Sequence, residues 1–248
     1  MKKINDLEAL AKKYRRDLFE KFLLIKQGHP GSIFSMMEIV VALYHGGFVR
    51  FNNNDKKFLD KVLISKGHAT AALYPILRDF NVLPSKEWDN WGKKDSLLRV
   101  FGNVSIPGID ITSGSLGHCV GAGAGMAISY KRSKKDNNVY VVISEGELYE
   151  GSTWEALLFA KHNKLNNLKI IIDINSLIIL GKTSDCLNLE PIKDKILGLG
   201  IKTFEVDGHN LTDLVSTLEL SQKTNDVSCI LARTVKGKGS SIMENKKN

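Results

Sequence analysis

The run from Tyr140 to Gly181, YVVISEGELYEGSTWEALLFAKHNKLNNLKIIIDINSLIILG, restricts the fold more than any other part of the chain. An apolar stretch ends in an acidic, glycine-containing turn. A helical stretch follows, and a second apolar stretch ends in Asp173-Ile174-Asn175. Two apolar strands joined by a helix read as parallel strands with both faces covered. A carboxylate at one strand end and an amide at the next can share a hard cation. Magnesium takes such oxygen ligands and is commonly completed by a phosphate. The segment therefore points to a metal-diphosphate site at the carboxyl ends of the strands, where open α/β sheets bind ligands.

The rest of the chain repeats the alternation. Strands are expected over 61–65, 139–143, 169–173, 202–206 and 228–233. Helices are expected over 6–27, 35–44 (with Ser35 as N-cap), 69–80, 152–163, 191–198 and 211–222. The glycine- and alanine-rich stretch 117–133 is expected to be a tightly packed, buried helix. This is an α/β pattern: a doubly wound, mostly parallel sheet with helices on both faces, forming one domain over residues 1–248. The last residues, Met243–Asn248, read as a loop.

Composition closes off several function classes. No apolar run reaches the roughly 18 residues a membrane span needs, and MKKINDLEALAKKYRR is too charged for a signal peptide. Cys119, Cys186 and Cys229 fit neither a disulfide framework nor a zinc site, which suggests a reducing cytoplasm. The net charge of +8 is spread along the chain without interleaved aromatics. It suits a solvated surface or an anionic small molecule better than a nucleic acid.

Six segments carry chemistry-bearing residues. Glu145, Glu147 and Glu150 crowd a helix start, where a solvated acidic turn is the plain alternative. Gly28-His29-Pro30-Gly31 and Ser65-Lys66-Gly67-His68 place histidines in glycine-flanked loops. Glycine there lets backbone approach a ligand, and imidazole can donate to phosphate or sugar oxygens. Thr112-Ser113-Gly114-Ser115-Leu116-Gly117 opens a helix with small residues. Val206-Asp207-Gly208-His209 and Arg233-Thr234-Val235-Lys236-Gly237-Lys238-Gly239 both follow strands, and either could be an ordinary connection.

Taken in order, GHPGS, LISKGHATAALY, TSGSLGHCVGAGAGMA, EGELYEGSTWEA, IIDIN, VDGH and TVKGKGSSIMEN resemble the N-terminal, diphosphate-binding half of the transketolase family. The resemblance covers about residues 20–245. It implies the thiamine diphosphate-binding fold and a cofactor, thiamine diphosphate, with magnesium or calcium. It implies metal ligands at Glu145, Asn175 and the Leu177 carbonyl. Gly146 and Glu147 would lie at the cofactor with Glu145 and Asn175. Gly114, Ser115 and Leu116 would lie against its rings. His29 and His68 would face cofactor and substrate, and Glu150 would link paired active sites; these three are the expected catalytic residues. Asn103 would join His29 on the substrate side. His209 matches a less certain motif. The implied reaction is two-carbon ketol transfer between sugar phosphates.

Four departures accompany the resemblance. The usual Gly-Asp-Gly reads Ser144-Glu145-Gly146, and the longer glutamate must be accommodated by a cation that, if magnesium, wants near-ideal octahedral geometry. The usual Gly-His-Pro reads Gly102-Asn103-Val104, which replaces a titratable side chain with an amide. A Trp-His-Gly-like segment is expected beyond Asn248. The C-terminal, pyrimidine-binding half is expected on a separate polypeptide, in an α2β2 assembly. Two rival readings follow: a scaffold that pairs without binding cofactor, and a cofactor-dependent decarboxylase or acyloin-forming enzyme. Neither a nucleic-acid nor a membrane partner is expected.

Overall fold

The structure, a computed structural model, describes residues 2–246. Five strands form one parallel sheet: β1 (Lys61–Ile64), β2 (Val139–Ser144), β3 (Leu168–Ile174), β4 (Lys202–Asp207) and β5 (Ser228–Arg233), in the order β1-β2-β3-β5-β4. The central strands VYVVIS and LKIIIDI are rich in β-branched residues and almost entirely buried, as strands covered on both faces must be.

Alternate residues feed two cores. On one face Val62, Tyr140, Val142, Ile171 and Ile230 pack under α1 (Ile4–Ile25), α2 (Pro30–Ser35), α3 (Met37–His45) and a later helix, Leu211–Gln222. On the other, Leu63, Val141, Ile170, Ile172 and Leu231 pack under α4 (Cys119–Arg132), α5 (Gly151–His162) and α6 (Ile192–Gly198). The doubly wound α/β architecture expected from the alternation is present. In α1 the buried stripe Leu7, Ala11, Tyr14, Leu18, Phe22 follows the helical period. The helix ends where Lys26 turns left-handed, at φ 53°.

Three local expectations change. Ser35 does not cap a helix over 35–44. Pro30 starts a separate helix earlier, and α3 begins at Met37 after an uncapped Met36. The stretch expected as one helix over 69–80 is a 3-10 turn, Gly67–Leu73, leading into an α-helix, Tyr74–Asp79. Pro75 lacks an N–H and is accommodated in that helix's first turn. The glycine-rich helix α4 is buried on one face only. Val120, Gly123, Ala124 and Ala127 face the sheet, whereas Gly121 and Gly125 are exposed. Gly123 serves close packing, since a Cβ there would lie 2.5 Å from Val141 Cγ2.

The loop expected over Met243–Asn248 is a turn through Asn245; its last two residues lie outside the described range. Cys119 and Cys229 are buried, Cys186 is exposed, and all three are free thiols. Among the described residues, no helix is long and apolar enough to cross a membrane.

Candidate functional site

Parallel pairing brings every strand's carboxyl end to one edge. Ser144 pairs with Asp173, Asp173 with Ala232, and Asp207 with Arg233, so the residues just beyond them become neighbours. A buried ion pair locks this edge. The Lys66 ammonium meets Asp173 Oδ2, with their side chains 1% and 0% exposed. Ser35 Oγ donates to the same carboxylate at 2.6 Å, and the Thr234 hydroxyl donates to its other oxygen. One aspartate thus ties together the ends of β1, β3 and β5 and the end of α2. No local sequence pattern gives Asp173 that role; its partners lie up to 138 residues away.

Lys66 and Asp173 each stand two residues before a predicted site residue. His68 follows Lys66, and its ring centroid lies 5.2 Å from that of His29 and 6.5 Å from Phe101. His29 Nδ1 is buried without a hydrogen-bond partner. Burial holds His29 below the usual imidazole range. Burial, then the cations Lys66 and Lys236 and the nearby His29 ring, push His68 down to about 4. Both rings are therefore neutral near pH 7, with nitrogens available to an incoming group.

Lys236 has no role that its sequence neighbourhood announces. It is 6% exposed, and its ammonium has no hydrogen-bond or ion-pair partner among the described residues. Burial, then Lys66, lowers its pKa. An ammonium without a counter-ion on a residue 6% exposed, whose charge also reaches His68, is the electrostatic signature of an anion site. The basic glycine loop that carries it is the only sequence signal.

The small-residue loop closes over this cluster. Ser113 Oγ donates to the Ile64 carbonyl at 2.6 Å. A Cβ on Gly67 would meet the Ser113 carbonyl oxygen at 2.4 Å, and one on Gly114 would lie 3.5 Å from Phe101. Gly114 and Ser115 are exposed and Leu116 is half-buried, forming an open shelf. Asn103 lies on a second loop, whose Gly102 abuts Thr70. Its Oδ1 accepts from Ser105 N at 2.9 Å, and its amide nitrogen has no hydrogen-bond partner among the described residues.

The three glutamates part company. Glu145 is buried, and its Oε2 accepts from Ser176 N at 2.9 Å, which joins the β2 turn to the β3 turn. Asn175 Oδ1 accepts from Leu177 N at 3.1 Å, and Ser176 between them is left-handed at φ 59°. Gly146 faces Ile178, whose Cγ2 lies 3.0 Å from where a Cβ would be. Glu147 is fully buried, and burial raises its pKa. It receives the Ser65 hydroxyl, Gly117 N at 3.1 Å and Ser144 N at 3.0 Å, so it braces the turn from within. Glu150 is exposed, with no side-chain hydrogen bond among the described residues. Gly117, at φ 82°, fits against it; a Cβ there would lie 2.6 Å from Glu150 Cβ.

Among the described residues no three His, Cys, Asp or Glu side chains cluster as metal ligands. The expected set contains only one such residue: one glutamate, one amide and one carbonyl. These are hard oxygen donors on two turns already joined through Ser176, and Glu145 Oε1 has no protein donor among the described residues. That chemistry fits magnesium or calcium rather than a softer ion. A cavity of about 780 Å3 opens elsewhere, between α1 and residues 238–242, with Arg15, Glu38 and His209 in its wall. It does not include His29, His68, Glu145 or Asn175.

Residues 9–248 match the family profile described as transketolase, thiamine diphosphate binding domain. A protein of Phocaeicola vulgatus, named as one subunit of an apulose-4-phosphate transketolase, is 34% identical over 243 residues, 97% of this chain and 86% of the relative. A protein of Clostridium sp., named as one subunit of a 6-deoxy-6-sulfo-D-fructose transketolase, is 33% identical over 244 residues, 97% of this chain and 89% of the relative. A solved transketolase from Campylobacter jejuni superposes with a TM-score of 0.90 at 25% identity, covering 99% of this chain and 40% of that one. The chain thus spans about 40% of the length of that transketolase, but most of the length of the two single-subunit relatives. Profile, relatives and fold agree that the chain belongs to the transketolase family and carries its thiamine diphosphate binding domain.

Proposed function

We propose that residues 1–248 form the diphosphate-binding unit of a split, cytoplasmic transketolase-like transferase, which moves a two-carbon ketol unit between sugars. The observation that carries this is the largely buried Lys236, whose ammonium has no partner among the described residues and whose charge reaches His68, in a chain that aligns over nearly its full length with proteins named as single subunits of transketolases. Thiamine diphosphate, when bound, supplies the carbanion-stabilising chemistry. The chain's own residues bind and orient. Glu145, Asn175 and the Leu177 carbonyl would hold magnesium or calcium. Gly146 leaves room for the diphosphate, and Lys236 neutralises it. Gly114, Ser115 and Leu116 offer a surface to the cofactor rings. Glu147 supports these groups from below, without direct contact.

His29 and His68, both neutral, can accept or return a proton at a substrate hydroxyl. Asn103, whose amide nitrogen has no partner among the described residues, can donate to a sugar oxygen. Relatives are named for apulose-4-phosphate and 6-deoxy-6-sulfo-D-fructose. We extend that class, ketoses with an anionic end group, to this chain. The open shelf and exposed Glu150 suit a second polypeptide that completes the site, in an α2β2 assembly. The test is to assay the chain alone and mixed with its complementary subunit, with thiamine diphosphate and magnesium. Ketol transfer only in the mixture supports the proposal. Robust activity of the chain alone overturns the split assembly. Absence of cofactor-dependent thermal stabilisation in the mixture overturns the catalytic role in favour of a scaffold.

A further inference from the structure

The Val206-Asp207-Gly208-His209 turn stands outside the cluster of His29, His68 and Lys236, yet it is wired to it. His209 Nδ1 lies 2.9 Å from Glu38 Oε2, and His209 Nε2 lies 2.8 Å from Val235 N. A backbone amide can only donate, so Nε2 is the bare acceptor nitrogen and Nδ1 carries the proton given to Glu38. Glu38 is held in turn by two arms of the Arg15 guanidinium, which also donates to the Phe34 carbonyl at 2.7 and 3.2 Å. The side chains of Arg15, Glu38 and His209 are 11%, 9% and 11% exposed, so little water competes for these bonds.

The bond to Val235 falls at a sensitive place. Thr234, one residue earlier, donates its hydroxyl to Asp173 and its amide to the Ile174 carbonyl at 2.8 Å. Gly237, two residues later, donates to the Gly31 carbonyl at 2.9 Å. Gly208 N donates to the Arg233 carbonyl at 2.7 Å, and a Cβ on Gly208 would lie 2.4 Å from Thr234 Cγ2. Lys236 lies between the amides fixed by His209 and by Gly31. Among these backbone amides, that of Val235 is the one held by a side-chain acceptor.

We propose that His209 is a positioning residue: the Arg15–Glu38–His209 relay fixes the Val235 amide and thereby the direction in which Lys236 reaches the anion site. This rests on the function proposed above in one respect, that Lys236 meets the diphosphate. A His209 that merely fills space would affect stability and leave the folded protein's affinity for the anion unchanged.

The experiment uses the full chain and four variants: His209→Leu, His209→Gln, Lys236→Met and the double variant His209→Leu/Lys236→Met. Hydrogen exchange at residues 235–237 is read without ligand, and binding of thiamine diphosphate with magnesium is read by calorimetry, both well below each variant's melting temperature. His209→Leu is expected to speed exchange at 235–237 and to weaken binding about tenfold, the scale of one charge-assisted hydrogen bond. Glutamine carries an amide oxygen at about the reach of Nε2, so His209→Gln restores most of both. In the Lys236→Met background, His209→Leu changes affinity by less than about twofold, because the two act through one contact. Unchanged exchange at 235–237 in His209→Leu, or an equal loss of affinity with and without Lys236, overturns the inference. If the wild-type chain binds no thiamine diphosphate even when mixed with its complementary subunit, the proposed function is what fails. Inorganic pyrophosphate then becomes the anion probe, and the same non-additivity supports the inference while its absence overturns it.

Discussion

Breaking the Lys66–Asp173 pair is the sharpest test of how this site is held. Asp173 is fully buried and receives three donors: the Lys66 ammonium and the hydroxyls of Ser35 and Thr234. Removing one member of a buried ion pair costs about 3–5 kcal/mol, because the survivor is left uncompensated. The two single variants should differ. Lys66→Met leaves the carboxylate two hydroxyl donors and falls near about 3 kcal/mol. Asp173→Leu leaves the ammonium only the Ser32 carbonyl at 2.9 Å and the Ser35 hydroxyl at 3.4 Å, and falls near about 5 kcal/mol. The double variant carries no stranded charge and should recover to within about 2 kcal/mol of the native chain. Urea unfolding with an unchanged slope measures all three. At about 2–4 °C per kcal/mol for a chain of this size, Asp173→Leu should melt roughly 10–20 °C lower. Single variants within about 1 kcal/mol of the native chain would be the behaviour of a surface pair, and the reasoning would fail. So would a double variant worse than the sum of the singles.

Other expectations follow from the same structure. Glu145→Ala should abolish magnesium-dependent uptake of thiamine diphosphate by the reconstituted pair, whereas Glu145→Asp, which restores the residue usual in the family, should retain it; calorimetry decides. His68 and His45 are both pushed down to about 4, first by burial. Their contribution is complete above the unfolded value near 6.5 and is lost as pH falls through about 4, so each removes up to about 3 kcal/mol across that window. His45→Phe should flatten this acid slope in denaturant midpoints taken at several pH values; an unchanged slope would exclude His45 from it. Gly117→Ala adds a Cβ 2.6 Å from Glu150 Cβ at φ 82°, which should cost about 1–3 kcal/mol in thermal unfolding; a neutral result would mean the turn is free to shift.

The sequence by itself determined the layer order, because runs such as KIIID and YVVIS can only be covered strands and the helices between them must lie on the faces. It also determined the edge at which His68, Glu145 and Asn175 gather, since a parallel sheet sends all its carboxyl ends one way. Local pattern could not see where a side chain points. Glu145, Glu147 and Glu150 look alike in a six-residue run, yet one joins two turns, one braces from within, and one faces out. Nor could it see partners far along the chain. Ser35 reads as a helix cap but serves Asp173, and His209 reads as an ordinary turn residue but orders the amide beside Lys236. These roles depend on contacts between residues 26 to 171 positions apart, which only the packed tertiary structure creates.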